Sequence, residues 1–183
     1  MTTRERYAPG AAFGARIEKN EETEWTLVLV RDLRHAPAKV WAALTDPAQL
    51  REWAPFDSDV NLGTAGTSAK LTTVGAPKPF VSETKVTKAD APRALELTWG
   101  GSDLRWELEP LGTGTRLTLW TNINKGFIAM GATGWHIAFD VLDRLLDGSP
   151  LGRIAGPAAM ALPDFQRLHL EYASQLGVTP AKF

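Results

Sequence analysis

The sequence predicts an α+β fold in which a curved antiparallel sheet packs around a long C-terminal helix, and three observations carry that prediction. Residues 67–121 read as short strands separated by tight turns. Residues 133–147, T-G-W-H-I-A-F-D-V-L-D-R-L-L-D, hold the cleanest helical pattern, with Trp135, Ala138, Phe139, Leu142, Leu145 and Leu146 recurring at intervals of three and four. Two short helices hinged at Asp46-Pro47 come before the strands. A core-facing helix that arrives after a run of strands is what the sheet closes upon.

Taken in order, residues 1–12 contain Pro9-Gly10 and few apolar anchors, which predicts a loose tail. A short strand over 15–19 turns at Asn20-Glu21-Glu22 into a second strand over 24–33. There Trp25, Leu27, Leu29 and Leu33 share one side, and Arg31 breaks the apolar parity near a strand end where its side chain is expected to reach water. Pro37 suits the first position of a helix carrying Val40, Trp41 and Leu44. Asp46, Pro47 and Gln49 have the form of a capping box, so a second short helix starts there, anchored by Leu50 and Trp53 and stopped by Pro55.

Strands follow over 67–74, 80–88 and 95–99. Gly100-Gly101 is a hairpin signal, after which Leu104, Trp106 and Leu108 alternate with Arg105, Glu107 and Glu109. Beyond the Gly112-Thr113-Gly114 turn, Leu117, Leu119 and Thr121 alternate with Arg116, Thr118 and Trp120, completing a meander with one buried face. On the outer face Arg116 is expected to pair with Arg105 and Glu107 across strands. Thr133 is expected to cap the long helix, with Gly148 and Pro150 stopping it, so that His136, Asp140, Asp143 and Asp147 line a solvated face. The glycines and prolines of 148–163 predict a connection with at most one helical turn, either a plain surface loop or a lid. Phe165, Leu168, Tyr172 and Leu176 stripe a final helix over 163–176 that ends at Gly177.

With 183 residues, 44% of them hydrophobic, the chain is expected to form one domain over 13–183, with its core in 24–147 and a C-terminal extension in 148–183. The 20 lysines and arginines balance 21 aspartates and glutamates, so a nucleic-acid partner is not expected. No signal-peptide core and no apolar run of membrane-spanning length are present, which predicts a cytoplasmic protein with no membrane partner. Zero cysteines exclude disulfides, thiolate chemistry, cysteine-ligated zinc and iron–sulfur clusters. The G-x-S-x-G, H-E-x-x-H and G-x-G-x-x-G patterns are absent, and Gly63-Thr64-Ala65-Gly66 has the wrong spacing for a phosphate cradle. His136 and Asp140 stand four apart, a spacing that can orient a base or hold a metal, but they share the polar stripe, and His35 and His169 come from distant elements. No metal, cofactor or catalytic residue is therefore assigned.

Tryptophan is the informative residue type. Seven indoles, at 25, 41, 53, 99, 106, 120 and 135, are many for one core, and flat aromatic side chains around a gap are how apolar pockets hold aromatic or fatty ligands. Trp25 and Trp41 lie on regular stripes and are expected to fill the core; Trp120 shares the parity of Arg116 and Thr118, so it is either exposed or turned inward by a bulge near Thr121.

The segment Arg34-His35-Ala36-Pro37-Ala38-Lys39-Val40-Trp41, followed by Leu44-Thr45-Asp46-Pro47, Leu50 and Trp53, resembles the opening signature of the START-like (SRPBCC) superfamily. It is most similar to the branch named for the C-terminal domain of the activator of the heat-shock protein ninety ATPase. Trp99-Gly100, the Gly112–Thr115 turn and Gly134-Trp135 with the Leu142 to Leu146 helix end fall where that branch has similar residues. The resemblance covers most of the chain and implies the helix-grip fold, with a cavity between sheet and long helix. It also places the second short helix, the last strands and the inner face of the long helix around the cavity mouth. Candidate ligand-contacting residues are accordingly Trp53, Phe56, Trp99, Trp106, Trp120, Trp135, Phe139 and Leu142. What the resemblance implies is binding of a small hydrophobic or aromatic molecule. One rival is a polyketide cyclase-like enzyme on an aromatic substrate, which needs an ionisable group in the cavity; Tyr172, Arg51 or Lys70 are the residues that could supply it. Another is a chaperone-associated protein-binding module, which needs a broad apolar surface patch and a filled cavity. A homodimer stays open. The extension after Gly148 is an addition where many relatives stop, and the chain has no room for the separate N-terminal domain of eukaryotic heat-shock activators, so that chaperone role is not expected.

Overall fold

Alternation and turn chemistry place the strands, and long-range hydrogen bonds then curl them. The computed structural model describes residues 2–19 and 24–182, so the turn expected at Asn20-Glu21-Glu22 lies outside the described residues. Strands β1 (Ala15–Lys19) and β2 (Trp25–Leu33) pair antiparallel, and β2 then pairs with β9 (Gly114–Ile123). Next to β9 run β8 (Ser102–Leu111), β7 (Ala94–Trp99) and the short β6 (Lys88–Asp90), giving the order β1-β2-β9-β8-β7-β6. A smaller sheet holds β3 (Phe56–Ser58), β4 (Ser68–Thr73) and β5 (Phe80–Lys85). The expected strand over 80–88 is thus two strands, β5 and β6, with buried Val86 between them.

Among the described residues no backbone ladder joins the two sheets. Side chains stitch β5 to β7 instead: the Thr84 and Thr98 hydroxyls lie 3.0 Å apart, the Thr98 amide donates to Thr84 Oγ1, and the Gly100 amide donates to Ser82 Oγ.

Helix α1 (Pro37–Thr45) starts on Pro37, as expected of a residue whose missing amide hydrogen is no loss there. Asp46 caps α2 (Pro47–Trp53) by accepting from the Ala48 amide at 3.0 Å. The long helix α3 spans Ile128–Leu146, 19 residues, and so begins five residues before the expected cap. Thr133 lies inside it and donates its hydroxyl to Ala129 O at 2.8 Å. Gly131 and Gly134 read as breakers in isolation, but buried Ile128, Ala129 and Ala132 extend the apolar stripe and override them. After it come the single turn α4 (Pro157–Met160) and α5 (Phe165–Leu176), which ends on left-handed Gly177.

Two expectations are corrected by what packs against α3. Arg31 does not reach water; it is 9% exposed and its guanidinium meets Asp140 Oδ1 at 2.6 Å. His136, expected on a solvated stripe, is 1% exposed. Both follow from α5 and the chain's first residues, which cover that side of α3. Residues 2–12, expected to be loose, are tied down: Arg167 donates to Pro9 O, the Ala12 amide to Glu171, Gln175 to Ala12 O, and the Tyr7 hydroxyl to Asp140 at 2.7 Å. Three polar anchors on α5 do what apolar anchors would otherwise do.

Candidate functional site

Small residues on one face of α3 decide where space is left. Gly131, Gly134, Trp135 and Ala138 recur at three and four, and this face looks toward the ends of β7 and β9. A Cβ built on Gly134 meets nothing within 4 Å, whereas one on Gly131 would come 2.5 Å from Ile123 Cδ1. Opposite stand Trp53 and Pro55 from the end of α2, Thr73 and Phe80 from the small sheet, Trp99, Gly100 and Ser102 from the β7–β8 hairpin, and Thr121 to Ile123 from β9. Ile154 to Gly156 and Ala159 close the remaining side. The cavity they enclose measures about 420 Å³, within the ~300–1,000 Å³ range of small-molecule sites.

Its walls are apolar and held firmly. Trp53 Nε1 donates to Ala43 O, and Trp99 Nε1 donates to Thr73 Oγ1, both at 2.9 Å, so each indole is fixed by its one polar atom. Edge-on ring contacts tie Trp99 to Trp135 at 6.0 Å, Trp135 to Trp106 at 5.5 Å and Trp106 to Trp53 at 6.1 Å. Polar groups gather at one end, where Ser102, Thr121 and Asn122 sit, with Asn122 Oδ1 accepting from the Asp103 amide. Among the described residues that line the cavity, none is ionisable.

Of the eight residues expected to contact a ligand, Trp53, Trp99 and Trp135 line the cavity. Phe56, Trp106 and Phe139 form the layer behind them: Phe56 packs on Trp99 at 5.3 Å, and Phe139 on Trp135 at 6.1 Å and Trp106 at 6.0 Å. Leu142 is fully buried core. Trp120 lies on the opposite sheet face under the Arg105 guanidinium, 4.6 Å from its ring centre, so strand parity holds and no bulge turns it inward. On that face Arg105 bonds Glu107 along its own strand and Arg116 bonds Asp32 at 2.8 Å, in place of the expected cross-strand pairing between them. Among the lining residues not anticipated are Gly131, Gly134, Ala138, Phe80 and Ile154. The first three carry a signal in the sequence, a helical stripe of small side chains beside a tryptophan.

The groups that could do acid–base chemistry lie elsewhere. On the far side of α3, His136 Nδ1 is 2.7 Å from the Tyr172 hydroxyl, which donates onward to Phe13 O, and His136 Nε2 is 3.5 Å from Asp140. Burial opposes the charge on Asp140, but its hydrogen bond with His136 and the charge of Arg31 prevail and hold the carboxyl below its usual range. Burial pushes the Tyr172 phenol up to about 12. Arg31 also rests on the Phe13 ring at 4.7 Å, which caps this cluster. Near the end of α3, His35, Asp143 and Asp147 bring ligand atoms within 4.8 Å of one another, a grouping that sequence spacing did not join. Asp147 there already takes hydrogen bonds from Arg34 at 2.7 Å and His35 at 2.8 Å. Arg51 borders a separate groove, and Lys70 a shallow depression away from both.

Comparison with solved structures finds the same architecture. CalU16 from Micromonospora echinospora is 20% identical, with a TM-score of 0.62 over 93% of this chain and 97% of that one. The protein encoded by gene BPP1335 from Bordetella parapertussis is 23% identical, with a TM-score of 0.61 over 96% and 95%. A conserved protein of unknown function from Enterococcus faecalis is 18% identical, with a TM-score of 0.63 over 88% and 89%. No curated protein matches the chain. Residues 34–147, which run from the strand end before α1 to the C-cap of α3 and include the cavity's indoles, match the family described as Activator of Hsp90 ATPase homolog 1-like protein, and the chain belongs to that family, an SRPBCC-type helix-grip domain.

Proposed function

We propose that the protein binds a small apolar or aromatic molecule in the cavity between α3 and the sheets, and that it does so as one unit, with the 148–183 extension forming part of the site. The observation that carries this is a space of about 420 Å³ walled by three fixed indoles and opened by a glycine whose missing side chain nothing else fills. Burying the apolar surface of an aromatic guest at about 25 cal/mol per Å² is enough for micromolar affinity without a charged contact. The lack of ionisable lining residues supports binding over catalysis, since Tyr172 and Lys70 lie away from the cavity and Arg51 borders only the neighbouring groove. Exposed apolar side chains such as Phe127, Met160 and Leu170 are on separate elements, which gives little support to a protein-binding patch. No described helix is long and apolar enough to cross a membrane.

The test is titration of the neutral fluorophore N-phenyl-naphthylamine, read by its emission and by tryptophan quenching, on the protein and on Gly134→Leu. Saturable binding that Gly134→Leu removes while far-ultraviolet circular dichroism stays unchanged is expected. No quenching and no saturation in the unaltered protein would sink the proposal.

A further inference from the structure

A second concavity adjoins the cavity and differs from it in charge. This groove, about 920 Å³ and wide open, is bordered by Val74 to Pro77, Ala155, Pro157 and Ala158, together with Arg51, Asp57 and Arg153. Ala155 is a wall of both spaces, and the chain passes from one to the other at Thr73-Val74 and at Ala155-Gly156. Between them main chain meets main chain: a Cβ on Gly156 would lie 2.6 Å from Gly75 O, and one on Gly75 would lie 3.0 Å from Ala155 O.

The charges in the groove are not balanced. Arg153 Nη2 bonds Asp57 Oδ1, while Arg153 Nε is buried with no hydrogen-bond partner among the described residues. The Arg51 side chain, in the last turn of α2, makes no hydrogen bond or ion pair with any described residue. Two guanidiniums against one carboxylate leave one net positive charge beside apolar walls. A guanidinium fork matches a carboxylate in geometry, and apolar surroundings strengthen the attraction.

Resting on the proposal that the cavity holds an apolar guest, we infer that the natural ligand is an amphipathic monocarboxylic acid. Its aromatic or alkyl body fills the cavity beside Trp99 and Trp135, and its carboxylate passes Ala155 to Arg51 and Arg153. The acid binds as its anion, with Arg51 supplying the free charge and Arg153 a donor not consumed by Asp57.

Affinities of naphthylacetic acid and of its primary amide, measured by calorimetry on the protein and on Arg51→Gln, separate this inference from the one beneath it. The acid is expected to bind about tenfold more tightly than the amide, as a charge-assisted hydrogen bond requires. That preference is expected to fall severalfold in Arg51→Gln and in about 1 M sodium chloride, with the amide's affinity unmoved. Equal binding of acid and amide, or a preference that survives Arg51→Gln, overturns the carboxylate assignment and leaves the cavity proposal standing. Binding of neither compound overturns both.

Discussion

Single side chains on α3 set both what the helix admits and what it buries. Gly134 is the sharper case, because a Cβ there enters open space and also removes the conformational freedom that makes glycine a poor helix residue. Gly134→Ala is expected to raise stability by about 0.5–1 kcal/mol in urea unfolding. The same change at Gly131 pushes against Ile123 and is expected to gain nothing; equal gains at both would show that Ile123 does not crowd Gly131, and no gain at Gly134 would show that the space beside it is not there. On the reverse face, Asp140→Asn strands the Arg31 guanidinium in a buried setting and is expected to cost about 3 kcal/mol. Because the folded carboxyl is held below its unfolded value, its stabilisation is complete above pH ~4 and fades as pH falls through the folded pKa. Urea midpoints between pH 6 and pH ~2 should therefore converge for the two proteins; a constant gap would contradict the ionised pair.

At the scale of elements, the chain's first residues and α5 act as one cover over α3. Removing residues 1–12 deletes the bonds that tie Tyr7 to Asp140 and Pro9 and Ala12 to α5. The deletion is expected to lower stability by about 2 kcal/mol or more, with amides of 165–176 exchanging faster by hydrogen-exchange mass spectrometry. Unchanged exchange in α5 would mean the cover works without that segment. The 148–163 connection is a second such element, pinned by buried Leu151, Ile154 and Ala159 while Ala155 and Gly156 border the cavity. A lid of this kind is expected to show greater protection at 154–159 when N-phenyl-naphthylamine is bound, and identical protection with and without it would remove the lid. The pattern within each element was legible: α1 and α2 start on their prolines, Asp46 caps, and the strand alternation of β8 and β9 holds through Trp106 and Trp120. What covers an element was not. Tyr7 and Asp140 are 133 residues apart, and no periodicity encodes that meeting.

For the molecule as a whole, the order of strands and helices could be read from local chemistry because each turn and cap acts over a few residues. The cavity was only half legible. Indoles signal where large surfaces gather, so Trp53, Trp99 and Trp135 were found along with the layer behind them. Space itself is made by absent atoms, and glycine in a sequence reads first as a break. The seam between the two sheets follows from the same architecture. β5 meets β7 through threonine and serine hydroxyls, and the described residues show no amide-to-carbonyl rungs between them. Parting the seam therefore breaks hydroxyl links and the packing of buried Ala69 and Leu71, while the ladders within each sheet stay whole. The small sheet is thus seated on the large one by packed side chains and hydroxyls, so a change at Thr84 or Ser82 alters the join without touching a rung of either sheet.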